Sequence, residues 1–167
     1  MDTPHLILRT SWVYSRRGKN FLLTILRLVK EREEISIVAD QIGAPTWSRA
    51  LASATGGILE QLGYGTPGFT SACAERSGLY HLSAAGFTSW HGFAAAIIQH
   101  AASGELGQSA YALDRTPALK AITTGEYPLP ARRPRYSVHA NAKLQRAFGV
   151  AMPDWKISLA ECMRSTR

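Results

Sequence analysis

A tyrosine near a lysine is the first pair in this sequence with the residue types for acid–base chemistry. Tyr14 and Lys19 are five residues apart. In a helix, a lysine four residues after a tyrosine can bring its ammonium close enough to lower the pKa of the phenol. The observed spacing is one residue too long, so we interpret the pair as accidental. We assign no catalytic residue to the chain.

The patterns of other catalytic and metal sites are missing. No Gly-x-Gly-x-x-Gly turn follows a predicted strand, and the sequence holds no phosphate-binding loop and no Gly-x-Ser-x-Gly elbow. The five histidines are scattered, and Cys73 and Cys162 are too far apart in sequence for a zinc site or a disulfide framework. The residues themselves therefore predict no metal site.

Two residues near the N-terminus are candidates for ligand binding. Trp12 lies at the end of the first predicted strand, where ligands bind in open α/β sheets, so its indole could stack on a flat ligand. A tryptophan in the core is an equally good interpretation. Asn20 could cap the helix that follows it and also hydrogen-bond an anion, and capping alone is the favoured role.

Two later loops hold further candidates. Gln41 and Thr46 lie in the segment DQIGAPT, a loop in which polar side chains are rarely needed for packing. Arg133 precedes Pro134, which restricts the backbone before it and so directs the guanidinium. A phosphate is the natural partner of such a group, and a solvated basic tail is the alternative.

The elements that must position these residues alternate between strands and helices, which predicts the α/β class. The predicted strands are 5–13, 35–38, 78–83 and 118–123, and the predicted helices are 20–34, one after Thr46, one after Gly86, 139–148 and 154–163. Residues 62–78 are predicted as a surface loop and residues 125–137 as extended chain. The first strand has no partner nearby in sequence, which indicates a piece of a larger sheet.

The composition fits one folded domain. The chain has 167 residues, of which 46% are hydrophobic. No apolar run reaches the ~20 residues that span a bilayer, and the N-terminus lacks the apolar core of a signal peptide, so we expect a cytoplasmic protein without a membrane partner. The net charge is +7, and residues 114–167 hold 10 Lys or Arg against 4 Asp or Glu. This excess predicts an anionic partner, with a merely solvated basic surface as the alternative.

Six segments occur in the same order in bacterial dTDP-4-dehydrorhamnose reductases. They are RTSWVY at 9–14, GKNF at 18–21, DQIGAPT at 40–46, GLYHLS at 78–83, GFTSW at 86–90 and RRPRYS at 132–137. From about residue 5 to about residue 163, the sequence resembles the C-terminal half of this family. The combination of RTSWVY with DQIGAPT is specific, whereas either segment alone is weak.

The resemblance implies both a fold and a reaction. The family belongs to the extended short-chain dehydrogenase/reductases, so we expect late strands and helices of a Rossmann-type sheet plus the small C-terminal substrate-binding domain. Residues 1–167 would form this C-terminal part, with the N-terminal dinucleotide-binding part absent. The family reduces the 4-keto group of dTDP-6-deoxy-L-lyxo-4-hexulose with NADPH or NADH to give dTDP-L-rhamnose, and Mg²⁺ is a further cofactor candidate.

The resemblance carries binding roles over to this chain but no catalytic ones. It places Trp12 in the sugar-nucleotide pocket, Arg133 at the diphosphate, and Asn20, Gln41 and Thr46 at the pocket edge. The family's Gly-rich cofactor turn, its catalytic Ser or Thr and its Tyr-x-x-x-Lys pair all precede the segment that matches RTSWVY. None of them has a counterpart in this chain.

The sequence therefore predicts the substrate-binding half of a reductase, inactive in isolation. A stand-alone dTDP-sugar-binding module, or a subunit of a split enzyme, is the alternative. Nucleic-acid binding is the weakest hypothesis, because no predicted helix carries a basic stripe. Besides the dTDP-sugar, the expected partners are a second copy, paired through an exposed strand edge at residues 6–13, or a separate N-terminal half.

Overall fold

Four strand pairs form the framework of the part of the chain that the structure describes. A computed structural model describes residues 3–103, 116–128, 130–131 and 133–164. The strands are β1 (Leu6–Arg9), β2 (Val13–Tyr14), β3 (Glu34–Val38), β4 (Ile42–Gly43), β5 (Thr46–Trp47), β6 (Gly78–His81), β7 (Thr88–Ser89) and β8 (Ala118–Ile122). β1 pairs with β6, β2 with β5 and β3 with β8 in parallel, whereas β4 and β7 are antiparallel.

Helices connect and cover these pairs. They are α1 (Phe21–Glu31), α2 (Ser48–Gln61), α3 (Phe69–Glu75), α4 (Trp90–Ala102), α5 (Ala142–Phe148) and α6 (Trp155–Arg164). Parallel strands require crossover connections, and here those connections contain helices. The predicted α/β class is confirmed.

Helix α1 forms where the sequence predicts it. The Asn20 side chain accepts a hydrogen bond from the Leu23 amide at 3.3 Å, which satisfies one of the free amides of the first turn. The four apolar residues of the i, i+3, i+4, i+7 pattern, namely Leu22, Ile25, Leu26 and Val29, are all buried.

Two hydrophobic clusters make up the core. In the larger one, α1, α4 and α6 pack together around Phe93, and the cluster includes Tyr14 from β2 and Trp47 from β5. In the smaller one, α2 and α5 cover β1 and β6, with Tyr80 and Phe148 in edge contact at 5.3 Å between ring centroids. The first cluster borders the site described below, because Phe21, Ile25 and Trp90 belong to both.

The predicted surface loop at 62–78 is wrong in its second half, because Phe69–Glu75 form α3. Phe69 and Cys73 lie one helical turn apart, and Cys73 is buried while Phe69 packs against the smaller cluster. The loop prediction rests on the three glycines that precede this helix. Residues 63–68 read Gly-Tyr-Gly-Thr-Pro-Gly, but they join two helices and so lack the strand-turn-helix setting of a dinucleotide site.

The C-terminal region differs from its prediction in two places. Residues 124–126 form a 3₁₀ turn, closed by a capping box between Thr123 and Glu126, whereas extended chain is predicted from residue 125 onward. Helix α5 begins at Ala142 and not at residue 139, because the Asn141 side chain is engaged with the Ser83 backbone. The predicted end of α5 is confirmed, since Gly149 adopts the left-handed conformation with φ 65°.

Strand β1 keeps one free edge among the described residues. Its only recorded strand partner there is β6, and Ile7 is 49% exposed. The free edge supports the expectation that β1 pairs with another chain.

Among the described residues, none of the helices is both long enough and apolar enough to cross a membrane.

We expect the chain to self-associate through this edge and Ile7→Lys to shift it toward the monomer. A lysine on an edge strand must be desolvated when a second strand pairs there. Sedimentation velocity over a range of concentrations measures the change. Ile157→Lys is the matched control, because Ile157 is 55% exposed but lies on α6. A wild-type chain that stays monomeric at high concentration, or equal effects of the two substitutions, would contradict this expectation.

Candidate functional site

A cavity of about 940 Å³ lies between α1, β3 and the segment that precedes α5. Trp12, Phe21 and Trp90 form an aromatic part of its lining, and Gln41 and Arg133 also line it. Helix α1 adds Ile25 and Leu28, so a largely apolar hollow carries a few polar groups at its margin. This is the usual composition of a small-molecule site.

Two stacked tryptophans form the aromatic wall. The rings of Trp12 and Trp90 are parallel to within 2°, with their centroids 3.5 Å apart. Phe21 lies 4.6 Å from the Trp90 ring and continues the wall. The Trp12 indole N–H donates a 3.0 Å hydrogen bond to the Ser137 hydroxyl, which fixes the ring's rotation. The wall therefore offers a flat apolar surface in a fixed orientation.

Trp12 owes its place to an unusual backbone and to a glycine opposite. Its φ is 52°, in the left-handed region that residues other than glycine rarely adopt. Trp12 lies between β1 and β2, and its indole packs against Gly43 of β4. A Cβ at Gly43 would overlap the Trp12 ring, so only glycine leaves space for the stack.

A second group of hydrogen bonds places Gln41. Asp40 Oδ1 accepts from both the amide and the hydroxyl of Thr124, at 2.9 and 2.7 Å. Gln41 Nε2 donates to the same hydroxyl oxygen at 3.1 Å. The hydrogen bond from the Thr124 hydroxyl, aided by the positive charge of Arg135, holds the pKa of the Asp40 carboxyl below its usual range. Asp40 is thus ionised at neutral pH.

The segment before α5 is docked on β4 through its backbone. The Ile42 amide donates to the Arg135 carbonyl at 2.8 Å, and the Ser137 amide donates to the Ile42 carbonyl at 2.8 Å. These bonds hold Arg133 and Pro134 at the cavity margin. The Arg133 side chain is exposed there, as a group that meets a charged ligand in water would be.

Three of the five residues predicted to bind ligand meet in this cavity: Trp12, Gln41 and Arg133. The Asn20 side chain instead closes the turn before α1, donating to the carbonyls of Ser15 and Arg17 at 2.9 and 3.1 Å. Contact between Asn20 and a ligand stays a prediction.

Thr46 has a similar structural setting. Its hydroxyl is fully buried, donates to the Ala44 carbonyl at 2.9 Å and accepts from the Ala84 amide at 3.1 Å. Its own amide donates to the Trp12 carbonyl at 3.1 Å. Thr46 therefore positions the aromatic wall, and its direct contact with ligand also stays a prediction.

Tyr14 does not act as an acid–base group in this arrangement. Its side chain is buried against Phe93 with the ring centroids 5.1 Å apart, and burial raises the pKa of the phenol well above its usual range. Lys19 is exposed in the turn before α1. In the described ranges, the side chains form no cluster of three or more His, Cys, Asp or Glu that could hold a metal ion.

Sequence reasoning missed several residues of the site. Trp90 is the first residue of α4, and the sequence showed it only as part of a helix start in GFTSW. Ser137 and Thr124 act through contacts with residues 125 and 83 or 84 positions away, for which a single sequence gives no signal. Gly43 stood in a quoted motif, but its reason, the closeness of an indole, needs the fold.

Comparison with known proteins identifies the family of this chain. Residues 2–167 match the family model described as RmlD substrate binding domain. The chain belongs to this family. A dTDP-4-dehydrorhamnose reductase from Burkholderia thailandensis is 46% identical over 159 residues, which are 95% of this chain and 51% of that protein. The protein of that name from Escherichia coli K12 is 40% identical over 155 residues, 93% of this chain and 47% of the relative.

Solved structures agree with this placement. A crystal structure of dTDP-4-dehydrorhamnose reductase from Bacillus anthracis, in complex with NADP, superposes with a TM-score of 0.76 at 33% identity. The match covers 96% of this chain and 48% of that one. A dTDP-glucose 4,6-dehydratase from the same species, at 13% identity and a TM-score of 0.60, shares the Rossmann-like fold. The chain spans about half the length of the curated relatives it matches.

The close packing at Gly43 yields a test of the site's construction. We expect Gly43→Ala to displace the Trp12 ring and abolish the exciton signal of the two stacked indoles in circular dichroism. Crowding of this kind lowers the free energy of unfolding by about 1–3 kcal/mol. Gly56→Ala is the control, because a Cβ at this exposed position of α2 meets no atom within 4 Å. An unchanged exciton signal in Gly43→Ala would refute the proposed constraint.

Proposed function

We propose that this chain is the substrate-binding half of a dTDP-4-dehydrorhamnose reductase and holds a dTDP-sugar in the cavity described above. In the whole enzyme the reaction is reduction of the 4-keto group of dTDP-6-deoxy-L-lyxo-4-hexulose by NADPH or NADH. The observation that carries the proposal is the meeting of the Trp12–Trp90 wall with Arg133 in one cavity of a chain from this family.

The cavity divides the ligand's chemistry in a simple way. A parallel indole pair favours the flat or apolar part of a ligand. Arg133 at the open margin offers a planar fork of N–H donors to the diphosphate. Arg32 and Glu34 also line the cavity, so the lining holds two arginines against one carboxylate. A nucleoside diphosphate sugar combines both features in one molecule.

Hydride and proton delivery fall outside the residues of this chain. At the described junctions of a strand with a helix, before α1, α2 and α4, there is no run of glycines to admit a dinucleotide phosphate. None of the six tyrosines has a lysine four residues later. The residues that the structure describes therefore do not fit the phosphates of NADPH. We assign cofactor binding and proton donation to an N-terminal half, either in a longer form of the protein or on a separate partner chain.

We expect Arg133→Ala to weaken dTDP binding by about 1.5–3 kcal/mol, which is roughly tenfold or more in affinity, because a charge-assisted hydrogen bond is lost. Isothermal titration calorimetry with dTDP measures the loss. Arg146→Ala is the matched control, since Arg146 is an exposed arginine on α5 that does not line the cavity. Equal effects of the two substitutions would remove Arg133 from the diphosphate site.

We expect the chain alone not to oxidise NADPH when the 4-keto sugar nucleotide is present. Without a cofactor site and a proton donor, neither orientation of the nicotinamide nor protonation of the product oxygen is provided. Loss of NADPH absorbance is the assay, first with the chain alone and then after addition of a separately made N-terminal half. Turnover after the two halves are mixed supports a split enzyme. If the mixture shows no turnover but the chain still binds dTDP, the stand-alone binding module is supported. Turnover by the chain alone contradicts the proposal.

A further inference from the structure

The direction of the hydrogen bonds around Asp40 is fixed by its charge. An ionised carboxylate can only accept hydrogen bonds. The Thr124 hydroxyl has one proton and can therefore donate only one hydrogen bond. At 2.7 Å from Asp40 Oδ1, that hydroxyl must donate to the carboxylate. The Thr124 amide donates to the same oxygen at 2.9 Å and keeps the carboxylate in place.

This direction is passed on to Gln41. With its proton used on Asp40, Thr124 Oγ1 can only accept from the group at 3.1 Å on its other side. That group must therefore be the –NH₂ end of the Gln41 amide. The opposite orientation would put two acceptor oxygens against each other. The carboxylate thus determines which end of the Gln41 amide faces Thr124, although Asp40 itself does not line the cavity.

The carbonyl end of Gln41 is then left for the cavity. Gln41 is 7% exposed and lines the hollow, and no described residue donates a hydrogen bond to its Oε1. We propose that Asp40 is a positioning residue which, through Thr124, makes Gln41 present a fixed hydrogen-bond acceptor to an N–H donor of the ligand, namely N3–H of a thymine or uracil ring. This inference rests on the proposed function, since it names the base that the sugar-nucleotide site selects.

A fixed acceptor selects among pyrimidines for a simple reason. Thymine and uracil carry a hydrogen on N3, whereas N3 of cytosine is itself an acceptor. Two facing acceptors leave a buried group unsatisfied, which lowers affinity. A ligand hydroxyl would not be selected in this way, because it can rotate to donate or accept.

Nucleotide preference tests the proposal with two pairs of variants. Asp40→Ala releases the Thr124 hydroxyl to donate toward Gln41, and Thr124→Val removes the hydroxyl at nearly constant shape. Asp40→Asn keeps an oxygen acceptor, and Thr124→Ser keeps the hydroxyl, so these two conserve the direction of the chain of hydrogen bonds. Calorimetric titrations with dTDP, UDP and CDP give the ratio of affinities for each protein.

We expect the wild-type chain to bind dTDP and UDP about fivefold more tightly than CDP, the scale of one hydrogen bond. Asp40→Ala and Thr124→Val should bring this ratio close to one, while Asp40→Asn and Thr124→Ser retain it. A role limited to structure would lower all three affinities together and leave the ratio unchanged. An unchanged ratio in Asp40→Ala and Thr124→Val, or a wild-type chain without preference, overturns the proposal.

A ligand-free measurement separates this inference from the proposed function. If the wild-type chain binds no nucleotide, the proposed function fails for this chain, but the hydrogen-bond direction remains measurable by nuclear magnetic resonance. Contacts between the Gln41 side-chain amide protons and Thr124, lost in Asp40→Ala and kept in Asp40→Asn, support the positioning role. Their absence in the wild-type chain overturns it.

Discussion

The lack of a side chain at position 43 is the constraint on which the site depends. The Trp12 indole packs so close to Gly43 of β4 that a Cβ at this position would overlap the ring. The same short strand pairs with β7 on one side and bonds to the segment before α5 on the other. Ile42 and Gly43 therefore contact three parts of the site. These are the aromatic wall, the strand that leads into α4 and the segment that carries Arg133.

The cavity is built from segments that are remote in sequence and joined by few polar contacts. The Trp12–Ser137 bond spans 125 positions, and the Asp40–Thr124 bond spans 84. A hydrogen bond makes a net contribution of only about 0.5–1.5 kcal/mol to the free energy of unfolding. These contacts therefore orient the residues that line the cavity more than they stabilise the fold. Burial of the apolar faces of α1 and α4 provides the stability on which that orientation rests.

Local patterns in the sequence were sufficient for much of the fold. The stripe from Leu22 to Val29 predicted α1, and the glycine at 149 predicted the end of α5, because each depends on near neighbours. Helix α3 was missed because the glycines and Pro67 outweighed a seven-residue helix. Of the site, residue type and motif indicated Trp12, Gln41 and Arg133. Trp90 and Thr124 could not be foreseen, since their roles exist only after distant segments pack.

The backbone of Trp12 carries a further consequence. A left-handed conformation at a bulky residue costs about 1–3 kcal/mol, a cost that glycine would not incur at the same position. Packing against Trp90 returns part of that free energy, so folding alone gives little reason to prefer tryptophan there. Stacking on the proposed sugar nucleotide would give one. In a descendant gene without selection for such a ligand, this codon is accordingly among the first where drift would replace the tryptophan while the fold persisted.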